Sequence, residues 1–275
     1  MPSAIINGVQ IHYEERAPIT RTVPTLVLLH GFPMDGRIWQ HQLENLSDVA
    51  RVIVPDLPGF GRSISTSAFS IASLAEDVHE LLRQLQALPC VLGGLSMGGY
   101  IALAFARKYA ADLRGLILAD TRADADSAEG KIGREKMIGM VRSGGPRAIA
   151  DAMLPKVLAP TAAPEVVGRL REIMLACPGV TIEHALVAMR DREDATDVLG
   201  GLQIPILFIV GEQDVPSPPK VAEEMCRGAR RGRLVVIPGA GHVSAMETPA
   251  DVTVGIADFL RSAAERAPGL ACCGV

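Results

Sequence analysis

The chain opens on two short apolar–polar runs, Ala4-Ile5-Ile6 and Val9-Gln10-Ile11-His12-Tyr13, split by Asn7-Gly8. Asn-Gly tolerates the left-handed backbone of a two-residue loop, so the pattern predicts a β-hairpin. The next runs have a different character. TLVLLHG (25–31), ARVIVPDLPG (50–59), PCVLGGL (89–95), LRGLILAD (113–120), IPILFIVGEQD (204–214) and GRLVVIPGAG (232–241) carry nearly unbroken apolar stretches. Such runs mark strands buried on both faces. Between them lie helical patterns at 36–48, 70–88, 97–110, 218–229 and 249–266. In the second, Ile71, Leu74, Ala75, Val78, Leu81, Leu82 and Leu85 recur at helical spacing, with Ser70 as a capping residue. Strands alternating with helices predict an α/β fold, a mostly parallel, doubly wound sheet of about eight strands with the hairpin at one edge.

One interval breaks the alternation. Residues 122–202 contain no convincing strand, only helical pieces at Lys131–Arg142, Pro146–Leu154, Glu165–Leu175 and Thr181–Met189. The organisation expected is a core of 1–121 and 203–265, a helical cap (lid) insertion at 122–202, and a flexible tail at 266–275.

Composition narrows the class. The 275 residues are 48% hydrophobic, enough to bury the core of one large domain, and the net charge of -4 comes with no basic block. Nucleic-acid binding is therefore not expected. No run approaches the ~20 apolar residues of a membrane span. The opening residues lack the charged leader, apolar stretch and cleavage site of a secretory signal. The five cysteines, Cys90, Cys177, Cys226, Cys272 and Cys273, show neither CxxC nor metal-ligand spacing. Reduced thiols in a cytoplasmic protein, monomer or homodimer, are expected, with no metal and no cofactor.

The chemistry concentrates in Gly94-Leu95-Ser96-Met97-Gly98, a G-x-S-x-G placed after a strand and before a helix. A sharp strand-to-helix turn strains the serine backbone and demands small neighbours, hence Gly94 and Gly98. A serine hydroxyl needs a base. Of six histidines, His242 follows the last strand, at the sheet edge where ligands bind in open α/β folds. His12, His41, His79 and His184 read as surface or satisfied polar residues, and His30, before a glycine turn, as a loop-ordering one. The base needs an orienting carboxylate. Asp214 follows the preceding strand, giving the chain order Ser96, Asp214, His242. Asp120, after LRGLILA, is the alternative acid, and Glu212 a turn residue. Oxyanion donors are expected from the backbone N–H groups of Phe32 and Met97.

The chain resembles the α/β-hydrolase superfamily. His30-Gly31-Phe32-Pro33 matches its oxyanion loop, Asp56-Leu57-Pro58-Gly59-Phe60-Gly61-Arg62-Ser63 its D-x-x-G-x-G-x-S loop, Gly94 to Gly98 its nucleophile elbow, and Asp214 and His242 its acid and base positions. The insertion corresponds to the family's variable cap. The resemblance implies an α/β-hydrolase fold and a serine esterase or 3-oxoadipate enol-lactonase-like activity on a small-molecule ester or lactone. Dehalogenases and epoxide hydrolases of the superfamily carry Asp in place of Ser96. Its carbon–carbon bond hydrolases usually have Asn where Leu95 stands. Two alternatives remain open here, a cofactor-free perhydrolase (haloperoxidase-like) and a non-catalytic ligand receptor. Trp39, Met137, Met140 and Met153 are candidate pocket residues; the methionines either line it or pack cap on core, and Trp39 either lines it or belongs to the core of the first helix. Arg62 and Arg122 are either carboxylate binders or surface residues.

Overall fold

The computed structural model describes residues 2–18 and 23–265, so the 266–275 tail with Cys272 and Cys273 lies outside the described residues. In chain order come β1 (Ser3–Ile6), β2 (Val9–Arg16), β3 (Thr25–Leu29), α1 (Gln40–Asn45), β4 (Arg51–Pro55), α2 (Ile71–Gln84), β5 (Cys90–Leu95), α3 (Met97–Tyr109) and β6 (Leu113–Ala119). Four helices follow, α4 (Ala128–Val157), α5 (Pro164–Ala176), α6 (Gly179–Arg190) and α7 (Thr196–Gly201). The chain then returns to the sheet with β7 (Ile206–Gly211), α8 (Pro219–Gly228), β8 (Gly232–Ile237), α9 (Ser244–Glu247) and α10 (Pro249–Glu265).

The strands form one sheet of eight in the order β1-β2-β4-β3-β5-β6-β7-β8. The first two make the expected edge hairpin, with Asn7 (φ 49) and Gly8 (φ 83) both left-handed at its turn. β2 pairs antiparallel with β4, and every later pairing is parallel. Because side chains alternate across a strand, each central strand feeds two cores. Val27 and Leu29 of β3 join α2 and α3 residues such as Leu74, Val78, Ile101 and Phe105. Leu26 and Leu28 join Leu43 and Leu46, with Ile256 and Phe259 of α10, on the opposite face. Parallel pairing sends the chain out of β3, β5, β6, β7 and β8 at the same edge. That edge receives His30, Ser96, Asp120, Asp214 and His242.

Gly145 interrupts α4 with φ 64 and ψ -166, a conformation reserved for glycine. The helical spacing had separated the pieces at the same place. The six-residue α7 carries no apolar period of its own. Just ahead of it, the Asp194 carboxylate accepts from the Thr196 N–H and hydroxyl. Among the described residues no single helix is long and apolar enough to cross a membrane.

Burial decides between the two readings open for Trp39. It is fully buried in the α1/α10 core, and its indole N–H donates to the Leu29 carbonyl at 3.1 Å. With both its area and its polar atom spent inside, it is not a pocket wall but a brace under the end of β3. Replacing Trp39 by Phe should lower stability by about 1–3 kcal/mol through lost volume and an orphaned carbonyl, read as a shift in urea midpoint. A cavity-wall residue would leave the midpoint nearly unmoved.

Candidate active site

The turn from β5 into α3 holds Ser96 at φ 54, ψ -113, a costly backbone for a side chain of any size, on the order of 1–3 kcal/mol. The neighbours hold it there. The Ser96 N–H donates to Ala119 O at 2.9 Å, and its carbonyl accepts from Gly99 N–H at 2.9 Å and from the Thr121 hydroxyl at 2.7 Å. The glycines are sterically required. A Cβ on Gly94 would strike the Gly98 carbonyl, and one on Gly98 would sit 2.5 Å from Leu29 O and 2.8 Å from His30 O. One on Gly99 would sit 2.6 Å from the Thr121 methyl.

The raised hydroxyl meets the predicted partners. Ser96 Oγ lies 2.9 Å from His242 Nε2, and His242 Nδ1 lies 2.9 Å from both Asp214 oxygens. An ionised carboxylate only accepts, so Nδ1 carries the proton and Nε2 is bare toward the serine O–H. His242 is 6% exposed and Asp214 3%, so their attraction acts largely out of water. Burial by itself lowers the His242 pKa, but the hydrogen bond and charge of Asp214 outweigh it and raise the imidazole above its ordinary value.

The backbone N–H groups of Phe32 and Met97 donate to nothing among the described residues. Met97 is the first residue of α3, where an unpaired N–H and the helix dipole both favour negative charge. A Cβ on Gly31 would lie 3.3 Å from Ser96 Cβ, so the Gly31–Phe32 turn is pressed against the serine. His30 fixes this turn. Leu57 N–H donates to His30 Nε2 at 3.0 Å, which leaves Nδ1 protonated to donate to Gly31 O at 2.9 Å. Burial lowers its pKa, as a neutral tautomer requires.

Three residues escaped the sequence reading. Ser217 holds the acid, its N–H donating to Asp214 Oδ1 at 2.9 Å and its hydroxyl to Oδ2 at 2.8 Å. The Asp-x-x-Ser spacing of an Asx-type turn was its one visible signal. Thr121 pins the Ser96 carbonyl, as described. Glu247 accepts from Gly241 N–H and Val243 N–H on either side of the base, and from Ala159 N–H at 2.7 Å just beyond α4. His242 N–H itself donates to Val157 O of α4 at 2.9 Å.

Other candidates lie elsewhere. Asp120 has no hydrogen bond to His242; it accepts from Gly211 and Ser244. Glu212 accepts from Gly239 N–H in the turn after β8. His41 contacts Thr253, and His79 pairs with Asp112. Arg62 reaches Glu14 at 3.6 Å, and Arg122 is paired with Asp124 at 2.7 Å. Met137, Met140 and Met153 are half-buried against the core cluster that contains Phe32 and Met97. Among the described residues no group of three or more His, Cys, Asp or Glu side chains has metal-site geometry.

The pH response follows in sign. Asp214 stabilises the imidazolium, so the basic form of His242 appears later in a titration. The rise of kcat/KM with pH should be centred above 6.5, the ordinary imidazole value. Asp214→Asn should move the rise below that value and cut the rate on the order of 10⁴-fold, measured as a kcat/KM–pH profile.

The comparisons agree with this frame. The alpha/beta hydrolase family model matches residues 26–255. A thermophilic esterase from Thermogutta terrifontis, solved with malate bound, shares 39% identity at a TM-score of 0.89, over 95% of this chain and 98% of that one. The enol-lactonase from Burkholderia xenovorans LB400 shares 28% at 0.87, over 94% and 100%. The pimeloyl-(acyl-carrier protein) methyl ester esterase of Neisseria meningitidis serogroup B is 28% identical over 234 residues, 83% of this chain and 89% of its own. Fold, family match and neighbours converge, and this chain belongs to the alpha/beta hydrolase family.

Proposed function

We propose that the protein is a serine hydrolase that cleaves carboxylic esters, or lactones as cyclic esters, through an acyl-enzyme on Ser96. The observation that carries this reading is the 2.9 Å approach of Ser96 Oγ to His242 Nε2, with Nδ1 of the same ring bound to Asp214. His242 takes the hydroxyl proton as Oγ attacks the substrate carbonyl. The N–H groups of Phe32 and Met97 receive the oxyanion. His242 then protonates the leaving alcohol, and next removes a proton from the water that releases the acid. Asp214 holds the ring in the working tautomer throughout, and Ser217 holds Asp214. Hydrolytic activity is also supported by the esterase and lactonase among the neighbours.

The segment 122–202 acts in this reading as a lid over the serine. Ile138, Val141 and Ile149 are buried in the same cluster as Phe32 and Met97, with Met137, Met140 and Met153 packed against it. An apolar acyl or alkyl group of small to medium size suits such a wall. The cytoplasm is the proposed compartment, in keeping with the free thiols Cys90, Cys177 and Cys226.

A panel of p-nitrophenyl esters graded by acyl length, alongside simple lactones, tests the reading. The expected result is multiple turnovers with short and medium esters and a loss on the order of 10⁵-fold in Ser96→Ala. A fluorophosphonate should add one covalent label, mapped to Ser96. Equal turnover by the wild type and Ser96→Ala would overturn the assignment.

A further inference from the structure

Behind the Asp214–His242 pair lies a second carboxyl group that the reaction above does not use. Asp120 follows β6 in a left-handed conformation (φ 47) and is fully buried. Its Oδ1 accepts from Gly211 N–H at 2.9 Å, three residues before Asp214. Its Oδ2 accepts from Ser244 N–H at 3.2 Å and lies 2.6 Å from Ser244 Oγ, two residues after His242. A single carboxyl group therefore spans the loop that carries the acid and the loop that carries the base. The charged or titratable groups facing it are Asp214 from the loop after β7 and His242 from the loop after β8. Glu247 of α9 acts on the same imidazole. No lysine or arginine is among its hydrogen-bond partners.

We propose that Asp120 is a positioning residue, whose carboxyl group ties the acid loop to the base loop and sets the charge that His242 feels during turnover. The inference rests on the serine-hydrolase reading given above. A buried carboxylate without a cation is unfavourable, and the nearby Asp214 charge makes it more so. Burial first, then Asp214, push the Asp120 pKa up to about 8. At neutral pH the group keeps its proton, although the Ser244 hydroxyl, which donates to Oδ2, and the Gly211 N–H, which donates to Oδ1, both favour the ionised form. The site then holds one negative charge, on Asp214. As the pH rises, Asp120 releases its proton to solvent and the site gains a second.

The sign of the kinetic consequence is fixed. His242 becomes an imidazolium when it takes the Ser96 proton, and an added negative charge behind it favours that state. Ionisation of Asp120 thus accelerates attack. The kcat/KM profile should rise twice, first as His242 becomes basic and then, several-fold, near pH 8 as Asp120 ionises.

The experiment compares wild type, Asp120→Asn, Ser244→Ala and Ser96→Ala with a neutral ester across neutral and alkaline pH. Asp120→Asn should lose the second rise, read as the shape of its profile relative to its own neutral-pH rate, whatever that rate is. Ser244→Ala removes a hydrogen bond that stabilises the carboxylate, so its second rise should move to higher pH. If Asp120→Asn fails to fold, Ser244→Ala decides the question alone. A single rise in the wild type, or a second rise unmoved in Ser244→Ala or kept in Asp120→Asn, overturns the inference. Activity retained in Ser96→Ala would instead overturn the reading on which it rests.

Discussion

The structure depends on one strained residue. Ser96 is held at φ 54, and this conformation aims its hydroxyl out of the sheet toward His242. Everything adjacent is arranged to keep it there. Gly94, Gly98 and Gly99 leave room where a methyl group would collide, and Thr121 and Ala119 close hydrogen bonds on its carbonyl and N–H. Each such bond contributes about 1 kcal/mol, so two or three of them offset a strain of about the same size. The parallel sheet supplies the rest, because β3 to β8 all end at one edge, and five of these six strands deliver the loops of the site there.

The electrostatics of the site form a graded series. His30 is buried and neutral, and it serves loop geometry alone. His242, equally enclosed, has its proton affinity restored by Asp214. Asp120 faces the like charge of Asp214, and its hydrogen bonds from Ser244 and Gly211 do not offset burial, so it is driven toward its neutral form. Three buried ionisable groups on neighbouring loops thus take three different protonation behaviours. The determinant is what each one faces, since all are withdrawn from water.

The legible parts of the sequence were those with short-range signatures. Apolar runs marked β3 to β8, Asn7-Gly8 marked the hairpin, and the strand–glycine–helix pattern marked Ser96. Asp214 and His242 were readable because strand ends in a parallel sheet converge, so their positions in the alternation carried spatial information. Ser217, Thr121 and Glu247 were not readable in that way. Glu247 meets Ala159 across 88 positions, and its partners there are backbone N–H groups, which leave no mark in a residue pattern. Asp120 was visible as a strand-end carboxylate, but its bond to Ser244, 124 positions away, was not. Trp39 stayed open between two readings for another reason. An aromatic residue near a glycine turn reads alike whether it faces a cavity or the core, and only its bond to Leu29 O separates the cases.

The attachment of α4 to the base loop divides the inserted helices into two kinds of territory. Val157 and Ala159 are hydrogen-bonded to His242 and to Glu247, so the end of α4 is in effect part of the frame that holds His242. Beyond Gly145, Met137, Ile138, Met140 and Val141 belong to the other half of the helix and touch the base loop through no hydrogen bond. Substitution in the first half of α4 can therefore change the packing of the cluster that holds Phe32 and Met97 without touching the hydrogen bonds of the base loop, whereas substitution in its last turn moves the support of His242 itself. The two halves of one helix therefore differ in what they support: the first half reaches the Phe32 and Met97 cluster through apolar packing alone, and the last turn adds a backbone bond to His242.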